Sequence, residues 1–107
     1  MKKGMIKVVV LYPNGKDKTF NMDYYCNNHM PMIGGLLGDS LKGVSVDKGL
    51  GGGQPGVEAP YAAVGHLYFD SMEAFQNSFG PNLDAIVADV PNYTNIEPVV
   101  LISEVMI

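Results

Sequence analysis

Arginine is absent from this chain of 107 residues, and with it goes the planar guanidinium fork that most often clamps phosphates and carboxylates through two hydrogen bonds. A multiply charged anionic substrate is therefore not expected; a neutral or weakly polar ligand is. The seven lysines are scattered apart from the pair Lys2-Lys3. A net charge of −4 and a pI near 4.8 leave no electrostatic footprint for nucleic acid or anionic lipid. Only one cysteine, Cys26, is present, which excludes an intrachain disulfide and any zinc-type cysteine spacing, so a cytoplasmic location is the simplest expectation. Long apolar runs are missing too: nothing approaches the roughly 20 residues that a membrane-spanning helix needs. Lys2-Lys3 has the charge of a secretion signal, but the apolar run over residues 5–12 is interrupted by Lys7 and lacks a small-residue cleavage site, so it reads as a strand. Charged residues make up only 17% of the chain and apolar ones 47%, a balance that suggests a surface partly covered by a second copy, as in a homodimer. At this length residues 1–107 are expected to fold as one domain.

What is present reads as an alternation of strands and helices. Residues 5–12 are valine-rich and almost continuously apolar, as in a strand covered on both faces. Pro13-Asn14-Gly15 is a turn signal. Residues 41–48 alternate in the manner of a short, exposed edge strand, and residues 61–69 and 97–106 supply two more strands. Asp70-Ser71-Met72-Glu73 carries a capping pattern that starts a helix. Gly80-Pro81 is expected to break it, leaving a second helical piece from Pro81 to Ala88. Residues 49–60 contain Gly49, Gly51, Gly52, Gly53 and Gly56 with Pro55 and Pro60, which marks a loop that is either a mobile lid or an ordinary surface connection. Its glycine run is a poor phosphate cradle, since neither a helix nor a lysine follows. The resulting order β, α, β, β, α, β is the split βαβ pattern of a ferredoxin-like α+β domain with an antiparallel sheet.

The segment from Phe20 to Pro31 carries the most chemistry. Asn21 is a good helix cap, Asp23 sits in the first turn where the helix dipole favours an anion, and Phe20 and Tyr25 occupy the staple positions around the cap. Tyr25 and His29, four residues apart, share a helical face with Tyr24 beside them. Pro31 withholds a backbone donor from the preceding turn, so a bend is expected just after His29.

The pair Tyr24-Tyr25 followed by His29 and Pro31, the stretch Leu67-Tyr68-Phe69-Asp70-Ser71 with Ala74-Phe75, and the stretch Asp89-Val90-Pro91-Asn92-Tyr93-Thr94 resemble three signatures of the EthD family, named after a component of ethyl tert-butyl ether degradation. The resemblance spans nearly the whole chain. It implies a ferredoxin-like fold that dimerises through its sheets into a dimeric α+β barrel, with a small-molecule pocket inside each protomer. It implies less about chemistry, because related barrels include isomerases, polyketide cyclases and cofactor-free oxygenases.

His29 is the candidate catalytic residue, a general acid or base. The alternative is a helix histidine packed over the core and bonded to nearby backbone. Tyr24 and Tyr25 are candidate substrate-binding groups, with Tyr25 the better placed to pack and Tyr24 the freer. His66 shares strand parity with Ala62, Val64 and Tyr68. That face is expected to line the barrel, which makes His66 and Tyr68 substrate-binding groups of the pocket, with His66 and Tyr24 holding a substrate oxygen; were it to meet the helices, His66 would need a buried partner. The opposite row, Ala63, Gly65, Leu67 and Phe69, suits close helix packing. Cys26 is either an activated thiolate or, as is commoner, a buried inert thiol. No two ligand residues have HxxxH spacing, so no metal is expected. The chain therefore reads as a cofactor-independent enzyme acting on a neutral cyclic or aromatic molecule by His-assisted proton transfer, of isomerase, dehydratase, cyclase or oxygenase type. The alternative is a non-catalytic binding or accessory protein of a catabolic pathway that uses the same pocket.

Overall fold

In the computed structural model, which describes residues 2–107, strand β1 (Ile6–Pro13) occupies the interior of a four-stranded antiparallel sheet. It pairs on one side with β3 (Tyr61–Phe69) and on the other with β4 (Val99–Glu104), while β2 (Gly43–Lys48) lies outside β3 as an edge strand. The order β2-β3-β1-β4, with helical unit α1 (residues 22–37) after β1 and α2 (Met72–Asp89) after β3, is the ferredoxin-like α+β arrangement that the element order predicts.

The register fixes which side chains share a face. Ile6 stands opposite Phe69, Val8 opposite Leu67 and Tyr12 opposite Ala63, and all six are buried. Tyr25, Met30, Ile33 and Leu37 of α1 and Ile86 of α2 pack into the same cluster. Burial of each large apolar side chain contributes about 1.5–3 kcal/mol, which makes this layer the source of the fold's cohesion. The alternate row has no helix against it. Val9 beside His66 and Leu11 beside Val64 remain partly exposed, and their β4 neighbours Leu101 and Val99 are 54% and 53% exposed.

One element differs from the sequence expectation. Helix α2 runs unbroken through Gly80-Pro81. The Asn82 side-chain amide donates to the Ser78 carbonyl at 2.8 Å, and the Ser78 hydroxyl donates to the Ala74 carbonyl at 2.6 Å. The proline removes only the N–H that the Asn77 carbonyl would accept, and the helix continues across that single loss. The loop over residues 49–60 is internally bonded, with the Gly52 amide donating to the Val57 carbonyl at 2.8 Å and the Val57 amide to the Gln54 carbonyl at 3.2 Å. At the end of α1, Gly38 takes a φ of +57°, which only glycine adopts without strain. Among the described residues no helix is long and apolar enough to cross a membrane.

Candidate active site

Asn21 opens α1 by accepting a hydrogen bond from the Tyr24 amide at 3.0 Å, with Asp23 in the first turn. Phe20 and Tyr25 meet edge to face with ring centroids 5.0 Å apart, which closes the staple. The distortion expected after His29 instead falls on the residues in front of the proline. Tyr25–His29 form a π-helical segment in which the Met30 amide donates to the Tyr25 carbonyl, and the α-helix resumes over Met30–Leu37 with Pro31 in its first turn. Pro31 has no N–H to give that segment and its ring crowds it, so the preceding turn widens. Tyr25 and His29 remain on the inward side with their rings stacked at 5.4 Å, and His29 is only 2% exposed.

The segment after α2 comes to meet them. The Asn21 amide donates to the Tyr93 carbonyl at 2.7 Å, the Thr94 hydroxyl to the Thr19 carbonyl at 2.6 Å, and the Thr19 amide to the Asn95 side chain at 2.9 Å. These bonds tie the approach to α1 to the end of the Val90–Asn92 turn and set Tyr93 beside His29, with ring centroids 4.6 Å apart.

A hydrogen-bonded chain results. The Tyr24 hydroxyl donates to Asp89 Oδ1 at 2.7 Å, and the Asn92 amide donates to the same oxygen at 2.9 Å. Asp89 Oδ2 lies 2.8 Å from His29 Nδ1. On the far side of the ring, Nε2 has only a long 3.4 Å contact with the Tyr93 hydroxyl, which in turn lies 2.7 Å from the Tyr12 hydroxyl. Partial burial acts to raise the Asp89 carboxyl, but hydrogen bonds from Asn92, His29 and Tyr24 outweigh it and hold the group below its usual range. An ionised Asp89 can only accept, so the neutral imidazole carries its proton on Nδ1 and presents the Nε2 lone pair. Burial pushes the hydroxyls of Tyr12, Tyr25 and Tyr93 far above the ordinary tyrosine value, which keeps them as neutral donors.

Between sheet and helices lies a cavity of about 200 Å³ whose only polar lining side chains, among the described residues, are Tyr12, His29 and Tyr93. Val10, Ile33, Phe75, Phe79 and Ile86 contribute apolar wall. Leu83, Val87 and Val100 also line it and are 45%, 56% and 57% exposed, so the space is reachable from solvent.

Of the residues singled out by sequence, His29 lines this cavity. Tyr24 lies behind it on Asp89, and Tyr25 packs beneath the imidazole with its hydroxyl over Gly65. His66 and Tyr68 are not brought to this site, because strand parity turns them to the opposite face of the sheet. There His66 Nε2 meets Asp47 Oδ2 at 2.9 Å while Nδ1 is buried without a partner, and the Lys7 ammonium lies 5.7 Å from the Tyr68 ring centroid. Cys26 is exposed, not buried, since it points away from the inward stripe of Tyr25 and His29. Sequence reasoning missed the roles of Asp89, Tyr93 and Tyr12. Asp89 and Tyr93 both stand in the last family-like stretch, but no local pattern ties a carboxylate to a histidine 60 residues away.

Comparison with known proteins adds a consistent picture. The EthD domain family profile matches residues 14–97. Among solved structures, an EthD-like protein from Ralstonia eutropha JMP134 shares 39% identity, with 99% of this chain and 96% of that one covered and a TM-score of 0.92. An ethyl tert-butyl ether (EthD) family protein from Bacillus halodurans C-125 has 19% identity, coverage of 95% and 99%, and a TM-score of 0.66. A protein from Bacteroides fragilis NCTC 9343, described as dimeric, of unknown function and with a ferredoxin-like fold, has 14% identity, coverage of 97% and 99%, and a TM-score of 0.53. No match was found among curated protein sequences.

Proposed function

The chain belongs to the EthD family, and from that premise we propose that it is a cofactor-independent enzyme that transfers a proton on a neutral, compact cyclic or aromatic molecule held between sheet and helices. His29 is the acid and base. One observation carries this reading: Asp89 holds Nδ1 of this cavity-lining histidine at 2.8 Å while Nε2, among the described residues, has no closer partner than a hydroxyl at 3.4 Å. A carboxylate behind the imidazole fixes its tautomer and stabilises the imidazolium that forms when Nε2 takes a proton. Tyr24 is a positioning residue, since its hydroxyl acts through Asp89. The apolar wall suits an uncharged ligand, and the chain contains no arginine to pair with an anion.

The working form in this proposal is a homodimer, joined through the sheet face that carries Val9, Leu11, Val99 and Leu101. Half-exposed apolar side chains along that face support it, and the Bacteroides fragilis relative is described as dimeric.

Near-complete burial of His29 favours a second reading, a carrier that uses the imidazole only as a hydrogen-bond acceptor. His29→Gln separates the two. It retains volume and hydrogen bonding but cannot titrate, so an enzyme should lose turnover by about 10²–10⁴ while keeping its fold. A carrier would lose only some affinity, and unchanged turnover in this variant would sink the catalytic reading.

A further inference from the structure

We propose that Tyr93, backed by Tyr12, and His29 Nε2 together form a receptor for one enolic oxygen, which makes the substrate an enolisable cyclic ketone and phenol a stable mimic of its enol. The inference rests on the proton-transfer reading above and adds the oxygen site to it.

The donor and acceptor inventory selects the ligand. Asp89 is filled by Tyr24, Asn92 and His29 Nδ1, so the imidazole must accept at Nε2. Tyr12 and Tyr93 bring one proton each to a hydroxyl pair 2.7 Å apart. If Tyr12 donates to Tyr93, the Tyr93 proton has only the long 3.4 Å contact with Nε2 to give up and can turn to a ligand oxygen that enters between them. The cluster then offers one donor and one acceptor side by side, and an enol or phenol hydroxyl answers both: its oxygen accepts from Tyr93 and its proton goes to Nε2. A ketone answers the first alone and leaves Nε2 empty beside its α-carbon.

That vacancy is where the chemistry occurs. The α-C–H bond breaks and its proton bonds to Nε2. The released electron pair becomes the C=C bond, and the former C=O π pair moves onto oxygen, where the Tyr93 hydroxyl stabilises the developing charge. Return of the proton from Nε2 to the enolate oxygen gives the enol and to the α-carbon the ketone again; where a C=C adjoins the α-carbon, return to the far carbon of that double bond gives the conjugated isomer, with no oxidant or co-reactant. Size agrees as well, because a cavity of about 150 Å³ already holds benzene and this one measures about 200 Å³. One substituted ring fits.

Phenol and toluene differ by a hydroxyl for a methyl, so titration calorimetry with each isolates the oxygen site. Phenol should bind the wild type roughly tenfold more tightly than toluene, the effect of one or two net hydrogen bonds. Tyr93→Phe should erase most of that preference and leave toluene unchanged, with far-UV circular dichroism reporting the fold. If Tyr93→Phe does not fold, Tyr12→Phe carries the test, with a smaller selective loss for phenol. Equal affinity for phenol and toluene in the wild type, no phenol binding at millimolar concentration, or a variant that weakens both ligands alike would overturn the receptor. The chemistry is read separately, as deuterium uptake at the α-carbon of cyclohexanone in heavy water, which should be lost in His29→Gln. A phenol preference that depends on Tyr93, with no uptake in the wild type, would overturn proton transfer while the oxygen receptor stood.

Discussion

Asp89 Oδ2 lies 2.8 Å from His29 Nδ1, a contact between residues 60 apart in the chain that no local sequence pattern announces. It sets the tautomer of the only histidine on the cavity wall. Asp89→Asn should disturb it in a defined way. An asparagine oxygen turned to His29 sets the side-chain NH₂ against the Asn92 amide, and the reverse orientation sets NH₂ against Nδ1 and selects the other tautomer. Turnover should fall by about 10²–10⁴, as for other histidines deprived of an orienting carboxylate. ¹⁵N spectra of the imidazole should show the tautomer change, and an unaltered tautomer with full activity would remove Asp89 from the mechanism.

Stability should decline at both ends of the pH scale, through different groups. The Asp89 carboxyl is held below its usual value of 3.8, so its contribution is fully present above that value and is lost as pH falls through the lowered folded value. Tyr12, Tyr25 and Tyr93 are raised above 10, so their contribution is complete below pH 10 and disappears as pH rises beyond it. Thermal melts across pH should show Asp89→Asn converging on the wild type in acid. Absorbance at about 295 nm should show these three phenols ionising only as the protein unfolds in alkali. Ionisation of all six tyrosines near pH 10 in the folded state would contradict their burial.

Much of this was legible because it is local. The Asn21 cap, the Phe20–Tyr25 staple and the shared face of Tyr25 and His29 each depend on spacings of a few residues, and each is present. Strand parity separated Ala63, Gly65, Leu67 and Phe69 from Ala62, Val64, His66 and Tyr68 correctly. What parity could not say is on which face a cavity lies, and that is why it grouped His66 and Tyr68 with His29 although they stand on the opposite face of the sheet. The continuity of α2 through Pro81 was equally hidden, since a proline rule counts the one lost N–H and not the packing of Phe75, Phe79 and Ile86 against the core. Asp89 and Tyr93 needed the tertiary structure, which alone brings the two ends of the chain's helical layer together.

A homodimer is the expected solution state. Leu101 is 54% exposed and pairs with Val9 on the sheet face that no helix covers. Light scattering at micromolar concentration should give the mass of two 11.5 kDa chains. Leu101→Glu would place a charge in that interface and should yield a folded monomer. A wild type that scatters as a single chain would leave the open sheet face without a partner.

The last prediction concerns Gly65, which lies under the site. A β-carbon at this position would fall on the Tyr25 hydroxyl, whereas the ring carbon bearing that hydroxyl stands 3.4 Å away, close to ordinary contact. Gly65→Ala should therefore destabilise by about 1–3 kcal/mol, the usual effect of overpacking, because Tyr25 is wedged among Phe20, Tyr12 and His29 and has little room to retreat. Removing the hydroxyl relieves the clash. Tyr25→Phe alone should cost about 1 kcal/mol, yet the double variant should be less destabilised than the sum, with a coupling of about 0.5–3 kcal/mol in urea denaturation. Additive effects would mean that the ring is free to move. Since Tyr25 stacks on the imidazole, Gly65→Ala should also lower turnover in the folded protein, and Tyr25→Phe in the same chain should restore it. That rescue distinguishes a displaced His29 from a protein that is merely less stable.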